Sequence, residues 1–312
     1  MPTLAIARPS ALQVQPADLP RLPPCVVSRP VLLQRLLASE SRLRLLCAPA
    51  GTGKSVLLGQ CARHTPAAVE RVWLDLAGRS LTPAQLCKRL AVVLQLPNDD
   101  ANEAGLIERL HERAGRLWVF IDDYPRQADE ALDACLDRLF AAAPAQVTWW
   151  VASRRTPAWN LPRLLLQGDL LELKGEELAL DESALSELLA ALRIELADDI
   201  RQTLLAHSEG WLAAIRLLLL DADEDALRQR LQDGCPVLRD YVQREVLADL
   251  DQELRSDLHA LALLPRFSLS LCEHLLEGRA SELLSELQRR QLFVRSLDSS
   301  GTWFRMWRPL AE

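Results

Sequence analysis

The sequence predicts an α/β protein: a parallel sheet with helices on both faces, followed by a helical domain and a winged-helix domain. Three observations carry this. Short apolar runs alternate with longer amphipathic stretches through the first half of the chain, the pattern of strand and helix repeats covered on both sides. After residue 173 the strands stop and apolar residues recur at helical spacing. Near the end, Leu292 to Leu297 and Thr302 to Trp307 are strand-like and joined by Asp298-Ser299-Ser300-Gly301, and helices closed by a hairpin read as a winged helix.

Taken in order, the first thirty residues contain seven prolines and read as an extended arm, assigned to residues 1–27, because proline removes a donor and disfavours helix before it. Strands are expected at Leu43 to Cys47, Val72 to Leu76, Trp118 to Ile121, Val147 to Ala152 and Leu170 to Leu173. Between them Lys54 to His64, Pro83 to Leu94, Ala101 to Ala114 and Ala128 to Ala142 have helical patterns. These make a domain over 28–178. Asp181 is placed to cap a helix bearing Ala184, Leu185, Leu188, Leu189 and Leu192, and further helices follow at 198–207, 209–220 and 223–232. Gly234-Cys235-Pro236 breaks the run, so the helical domain is assigned to 179–233 and the winged helix to 234–312.

Composition limits the function classes. With 312 residues, 49% hydrophobic and 25% charged, the chain is an ordinary folded protein rather than a disordered or collagenous one. A net charge of −7 offers no general attraction to a phosphate backbone. Seven cysteines without a C-x-x-C pair suggest neither a disulfide framework nor a zinc site, and fit reduced, buried thiols. The N-terminus lacks a signal-peptide core and no apolar run spans a bilayer, so a cytoplasmic protein with no membrane contact is expected.

The chemistry resides in residues 48 to 55, A-P-A-G-T-G-K-S, placed between an apolar run and a helix. That is the context of a phosphate-binding loop. Gly51 and Gly53 let the backbone curl so that successive N–H groups, with the positive end of the next helix, point at phosphates. Lys54 bridges the phosphates and the Ser55 hydroxyl is placed to ligate Mg²⁺. The nucleotide set is therefore Ala50, Gly51, Thr52, Gly53, Lys54, Ser55 and Val56, with ATP or ADP and Mg²⁺ as cofactors. Ala48 stands where the pattern has its first glycine. Leu117-Trp118-Val119-Phe120-Ile121-Asp122-Asp123 supplies the second site: Asp122 as the metal-side carboxylate, beside Ser55, and Asp123 to polarise the attacking water. An aspartate in that role, shorter than glutamate, implies slow turnover. Arg154, at the carboxyl edge of the sheet, is the candidate γ-phosphate sensor. The five histidines have no H-E-x-x-H spacing and no G-x-S-x-G occurs, so metalloprotease and serine-hydrolase readings have no support. Trp149 and Trp150 lie inside a strand and are expected in the core.

Together these residues resemble the nucleotide-binding module of the MalT-like, large ATP-binding regulators of the LuxR type, in the STAND class of P-loop signal-transduction ATPases. The likeness covers L-P-P-C-V-V-S-R-P-V-L-L-Q-R-L from Leu22, the phosphate loop, the Asp-Asp strand end, and A-S-R-R-T-P-A-W-N-L-P-R-L. It continues through L-L-E-L-K-G-E-E-L-A-L-D-E-S-A-L, S-E-G-W-L-A-A-I-R-L and L-F-V-R-S-L-D-S-S-G-T-W-F-R. The resemblance implies that Val27, Ser28 and Arg29 lie along the adenine, and that the helical and winged-helix domains close over the nucleotide. Where the family usually has W-Y-R-Y-H-H-L-F this chain has W-F-R-M-W-R-P-L, so Trp307 and Arg308 replace the paired histidines, with Arg308 expected to reach the β-phosphate. The sequence ends at Glu312, before the family's helical-repeat sensor and DNA-binding helix-turn-helix, as either part of a longer protein or a naturally short one.

The expected function is a slow ATPase switch in which ATP and ADP favour different domain packings, with nucleotide as partner, self-association on ATP binding, and an inducer the sequence does not identify. Two alternatives stay open: a compact DNA-binding repressor and a non-hydrolysing ATP-binding scaffold. Residues 235 to 312 carry 10 Arg and no Lys against 12 Asp plus Glu, so no DNA binding by this segment is expected.

Overall fold

Five apolar runs form one parallel sheet in the order β2-β3-β4-β1-β5. They are β1 (Leu43–Cys47), β2 (Val69–Asp75), β3 (Arg116–Tyr124), β4 (Val147–Ser153) and β5 (Leu170–Lys174). The computed structural model describes residues 19–27, 29–97, 99, 101–127, 129–276, 278–291, 294–298 and 302–307. Every residue of β1 and β4 is buried, which is why these strands read as continuous apolar runs instead of alternating ones. The strands occur where the sequence placed them, with β2 and β3 beginning two or three residues earlier.

Helices cover both faces. On one lie α1 (Pro30–Ala38) and α2 (Lys54–Arg63); on the other lie α3 (Pro83–Val93), α4 (Glu103–Glu112) and α5 (Glu130–Ala142). The neighbouring tryptophans of β4 are both buried and divide between the faces, as strand alternation requires. Trp149 meets Phe140 of α5 edge-on at 5.2 Å, whereas Trp150 stacks on Phe120 at 5.2 Å. Two short helices, α6 (Leu161–Leu166) and α7 (Gly175–Leu178), flank β5.

Beyond the sheet come α8 (Glu182–Leu192), α9 (Asp198–Ser208), α10 (Leu212–Leu218) and α11 (Glu224–Asp233). Asp181 caps α8 by accepting the Ala184 N–H at 2.8 Å, as its spacing suggested. The helix expected over 209–220 is shorter. Glu209 (φ +49°) and Gly210 (φ +77°) are both left-handed, so the chain turns a corner and α10 starts only at Leu212. A side chain at 210 would lie 2.5 Å from the Leu180 carbonyl oxygen, so this corner requires glycine.

The last part contains α12 (Pro236–Tyr241), a π-helical turn at Val242–Val246, α13 (Gln252–Ala262), α14 (Leu269–Leu275) and α15 (Ala280–Arg289). Its antiparallel sheet has the order β6-β8-β7, from β6 (Phe267–Ser268), β7 (Val294–Ser296) and β8 (Trp303–Met306). Strand β6 was not anticipated, since two residues leave no period to read. Part of the expected hairpin, residues 292–293 and 299–301, lies outside the described residues. One apolar core runs from α8 to Trp307 and takes in Val27 and Ala50, so the helical segment, the winged helix and the phosphate loop are packed together. Six of the seven cysteines are buried and Cys25 is partly so; all are free thiols. Among the described residues no helix is long and apolar enough to cross a membrane.

Candidate functional site

The phosphate loop connects β1 to α2. Only Gly51 (φ +71°) and Gly53 (φ +88°) of this segment are left-handed, so Ala48 stands at a position that does not require glycine. Gly53 is the N-cap of α2 and no side chain caps the helix, which leaves the N–H groups of its first turn to a ligand. Lys54 is only 7% exposed, and its Nζ donates to the Pro49 carbonyl at 2.6 Å and to Thr52 Oγ1 at 3.5 Å. Among the described residues it has no carboxylate partner. Burial, aided by nearby Arg154, holds the ammonium down to about 7. A buried cation lacking an anion, beside an uncapped helix N-terminus, fits a phosphate.

The carboxylates stand at the end of β3. Ser55 donates its hydroxyl to Asp122 Oδ1 at 2.8 Å, and the Asp123 N–H donates to the same oxygen at 2.9 Å. Burial pushes the Asp122 carboxyl up to about 6. The two groups expected to hold Mg²⁺ are thus in contact, and a divalent cation there would favour the ionised carboxylate. Asp123 itself sits at φ +44°, where β3 slips in register between Ile121 and Tyr124. Arg154 Nε lies 3.2 Å from Asp123 Oδ1 and Arg126 Nη2 lies 3.5 Å from Oδ2. Both arginines continue into the winged-helix region: Arg154 Nη1 donates to the Glu245 carbonyl at 3.1 Å, and Arg126 Nη1 donates to Asp249 Oδ2 at 3.0 Å.

The helical segment meets the loop from the other side. Trp211 Nε1 donates to the Ala50 carbonyl at 2.9 Å, and the Ala213 N–H donates to the Gly51 carbonyl at 3.0 Å. A side chain at Gly51 would collide with Ala213 and the Tyr241 hydroxyl. Trp307 is buried with its ring 5.1 Å from that of Trp211. Arg305 of β8 holds both Glu209 carboxylate oxygens, tying the winged helix to the corner before α10. Between these parts lies a cleft of about 240 Å³, bounded by Pro49 and Thr52 of the loop, Gly175 of α7, and by Trp211, Gln291 and Trp307.

Val27 is buried in the shared core, and Val56 is half-buried on α2. Arg29 donates to the carbonyls of Glu177, Leu178 and Ala179, fastening the segment before α1 to the end of α7. Ser28 and Arg308 lie outside the described residues. Sequence reasoning missed one element of the site's scaffold. Arg155, 1% exposed, donates to both oxygens of Asp133 at 2.8 and 2.7 Å and to the Pro125 carbonyl; Asp133 also accepts the Tyr124 hydroxyl and the Ala158 N–H. Burial would raise the Asp133 carboxyl, but Arg155 and the Ala158 N–H outweigh it and hold it below the usual range. This network orients the segment from which Arg154 projects. An aspartate on the apolar face of α5, one residue past Leu132 and three before Leu136, was the available signal.

A strand, a glycine-bearing loop and a helix that present a buried lysine, with a serine bound to a strand-end carboxylate on a parallel sheet, define the P-loop nucleotide-binding fold. Comparison with known proteins narrows this. Residues 243–312 match the MalT winged helix domain. The chain is 28% identical over 318 residues to the HTH-type transcriptional regulator MalT of Yersinia enterocolitica, covering 90% of this chain and 35% of MalT. It is 29% identical over 303 residues to the serine/threonine-protein kinase PknK of Mycobacterium tuberculosis, covering 87% of this chain and 27% of the kinase. The chain therefore spans about a third of MalT and about a quarter of PknK. Among solved structures, a Walker-type ATPase of Pyrococcus abyssi matches with a TM-score of 0.61 at 15% identity, over 92% of this chain and 95% of that one. A STAND protein with a tetratricopeptide repeat sensor from Pyrococcus horikoshii matches with a TM-score of 0.50 at 14% identity, over 96% of this chain and 44% of that one. The chain thus has the fold of P-loop ATPases and ends in a segment that matches the MalT winged helix domain, in line with the resemblance its motifs carried.

Proposed function

We propose that this chain is the ATP-binding switch of a MalT-like transcriptional regulator, in which slow ATP hydrolysis resets the state. One observation carries the reading: the groups that would handle the nucleotide are the groups that hold the domains together. Trp211 and Ala213 are bound to the loop carbonyls, and Arg154 joins Asp123 to Glu245. A phosphate that draws Arg154 or displaces Trp211 therefore competes with interdomain contacts, which is how a ligand shifts a packing equilibrium. The cleft of about 240 Å³ lies between the loop, the α10 corner and the winged helix, so a nucleotide that enters it bears on all three.

In this reading Lys54 and the first turn of α2 bind the phosphates, and Ser55 and Asp122 hold Mg²⁺. Asp123 orients water once Arg154 and Arg126 release it, and Arg154 then senses the γ-phosphate. Val27 lines the base side, while Arg29 acts as a strut. The partners of the switch, self-association among them, follow from the ATP state.

Calorimetry with ATP and ADP, followed by amide exchange over 209–213 and 242–250 in each state, tests the proposal. ATP binding that accelerates exchange in both segments is expected. Binding that leaves both unchanged would reduce the chain to a nucleotide-binding scaffold. A gel shift with duplex DNA should show no salt-sensitive specific retention, since the winged-helix region is net acidic.

A further inference from the structure

A second cavity, about 350 Å³, opens between α12, the π-helical turn and α13. Its walls are apolar, from Leu238, Val242, Leu247 and Leu258 with Met306 of β8. Arg239, Arg255 and His259 stand around it, and among the described residues no aspartate or glutamate lines it. Arg255 gives one Nη2 hydrogen bond to the Ala248 carbonyl at 3.0 Å, but its Nε is buried without an acceptor. Arg239 is exposed and has no ion pair among the described residues. A partly open, mostly apolar cavity of this size with a few polar groups at its edge is a usual form of a small-molecule site.

The wall has a second face. Val242, Gln243 and Leu247 border the cavity, while Glu245 of the same π-helical turn holds Arg154 and Asp249, just beyond it, holds Arg126. Such turns are rare and concentrate at functional sites. We propose that this cavity is an effector site for a small amphipathic anion, an apolar carboxylate, whose binding keeps the π-helical turn where Glu245 clasps Arg154. The apolar body removes the lining from water, and the carboxylate pairs with the positive charges of Arg239 and Arg255, which line the cavity. Because the cavity exists in the arrangement with the clasp made, a ligand that fits it favours that arrangement over one in which the turn has moved. It thereby opposes ATP, and by reciprocity ATP weakens it. The site itself stands apart from the nucleotide reading, while its opposition to ATP rests on it.

The test uses the full 312-residue chain with decanoate below its micellar concentration, and decylamine as the cationic counterpart. Expected are saturable decanoate binding by calorimetry, none with decylamine, and slower amide exchange over 242–250 without any nucleotide. Ala262→Trp, which fills the cavity from α13, should abolish binding. Arg239→Glu, on the exposed rim where folding is not at stake, should weaken it roughly fivefold. Decanoate should lower ATP affinity in the wild type and not in Ala262→Trp. Absent saturable binding, equal binding of decylamine, or decanoate binding that survives both substitutions would overturn the site. Decanoate binding and protection with unchanged ATP affinity would overturn the coupling. Failure of ATP to bind with or without decanoate would count against the nucleotide reading, and the exchange result would still decide the site.

Discussion

Asp123, held in a left-handed bulge at the end of β3, accepts a hydrogen bond from Arg154 at 3.2 Å, and the same guanidinium reaches the Glu245 carbonyl at 3.1 Å. The carboxylate expected to handle water is therefore linked through one arginine to the winged-helix region. Arg126 repeats the arrangement with Asp249. Loosening this pair of links should release the switch without unfolding the protein.

The double variant Glu245→Gln, Asp249→Asn makes that test by removing two carboxylates, that of Glu245, 3.5 Å from Arg154 Nη1, and that of Asp249 at Arg126, while the bond from Arg154 to the Glu245 carbonyl remains. The two side chains are 44% and 42% exposed, so each ion pair contributes at most about 1 kcal/mol and thermal stability should barely change. Exchange over 242–250 should quicken and ATP affinity should rise by roughly threefold, the size of one weak ion pair. Unchanged ATP affinity with quickened exchange would separate the clasp from nucleotide binding.

Lys54→Met removes the buried ammonium and keeps most of its apolar stem. Nucleotide affinity should fall by at least roughly a hundredfold, the loss expected when one partner of a desolvated charge contact is deleted. Stability of the nucleotide-free protein should not fall, because a buried cation without an anion is a cost to folding. The wild type has a further signature. Its ammonium is held down to about 7 from the usual 10.5, so between those values the unfolded chain binds more protons and stability rises with pH. Urea titrations across that window should show the rise in the wild type and a shallower slope in the methionine variant.

Much of this was legible in the chain, for physical reasons that differ by element. The five strands read clearly because a sheet covered on both faces needs unbroken apolar runs, and the phosphate loop because its chemistry constrains consecutive residues. Arg154 was singled out from the sequence, whereas the buried place of Arg155 was not read there. They are adjacent and identical in type, yet one faces Asp123 and the other is buried against Asp133, and nothing local says which side of the strand end is the interior. The corner at Glu209-Gly210 was hidden because apolar spacing continues across it into α10; the contact of Trp211 with Ala50 spans 161 residues and leaves no local pattern. The π-helical turn is likewise a product of packing, since its composition is that of any helix.

Asp122 and Asp123 should separate cleanly on substitution by asparagine. Asn tolerates the left-handed conformation at 123, so Asp123→Asn leaves the bulge intact and removes only charge. ATP binding should persist while single-turnover hydrolysis falls by roughly a hundredfold or more, the scale of a positioned acid–base group. Asp122→Asn should instead weaken the Mg²⁺ dependence of binding, because it removes the carboxylate bonded to Ser55. Identical behaviour of the two variants would mean that the roles are not divided.

The buried pair beneath the site gives the last prediction. Asp133 is 1% exposed and receives Arg155 twice, along with Tyr124 and the Ala158 N–H, so Asp133→Ala strands a buried guanidinium and should cost about 3–5 kcal/mol. Asp133→Asn keeps the shape and isolates the charge. Because the native carboxyl is held below its usual range, the pair's stabilisation is complete at neutral pH and is lost as the solution is acidified through that lowered value. Urea unfolding from neutral pH down to about 3 should therefore show the asparagine variant less stable at the neutral end, with the gap closing toward acid as the wild type takes up its proton. Since Arg155 fixes the strand end that carries Arg154, the same variant should also quicken exchange over 242–250. A constant gap across the pH range would show that Asp133 stabilises through shape and hydrogen bonds alone, without contribution from its charge.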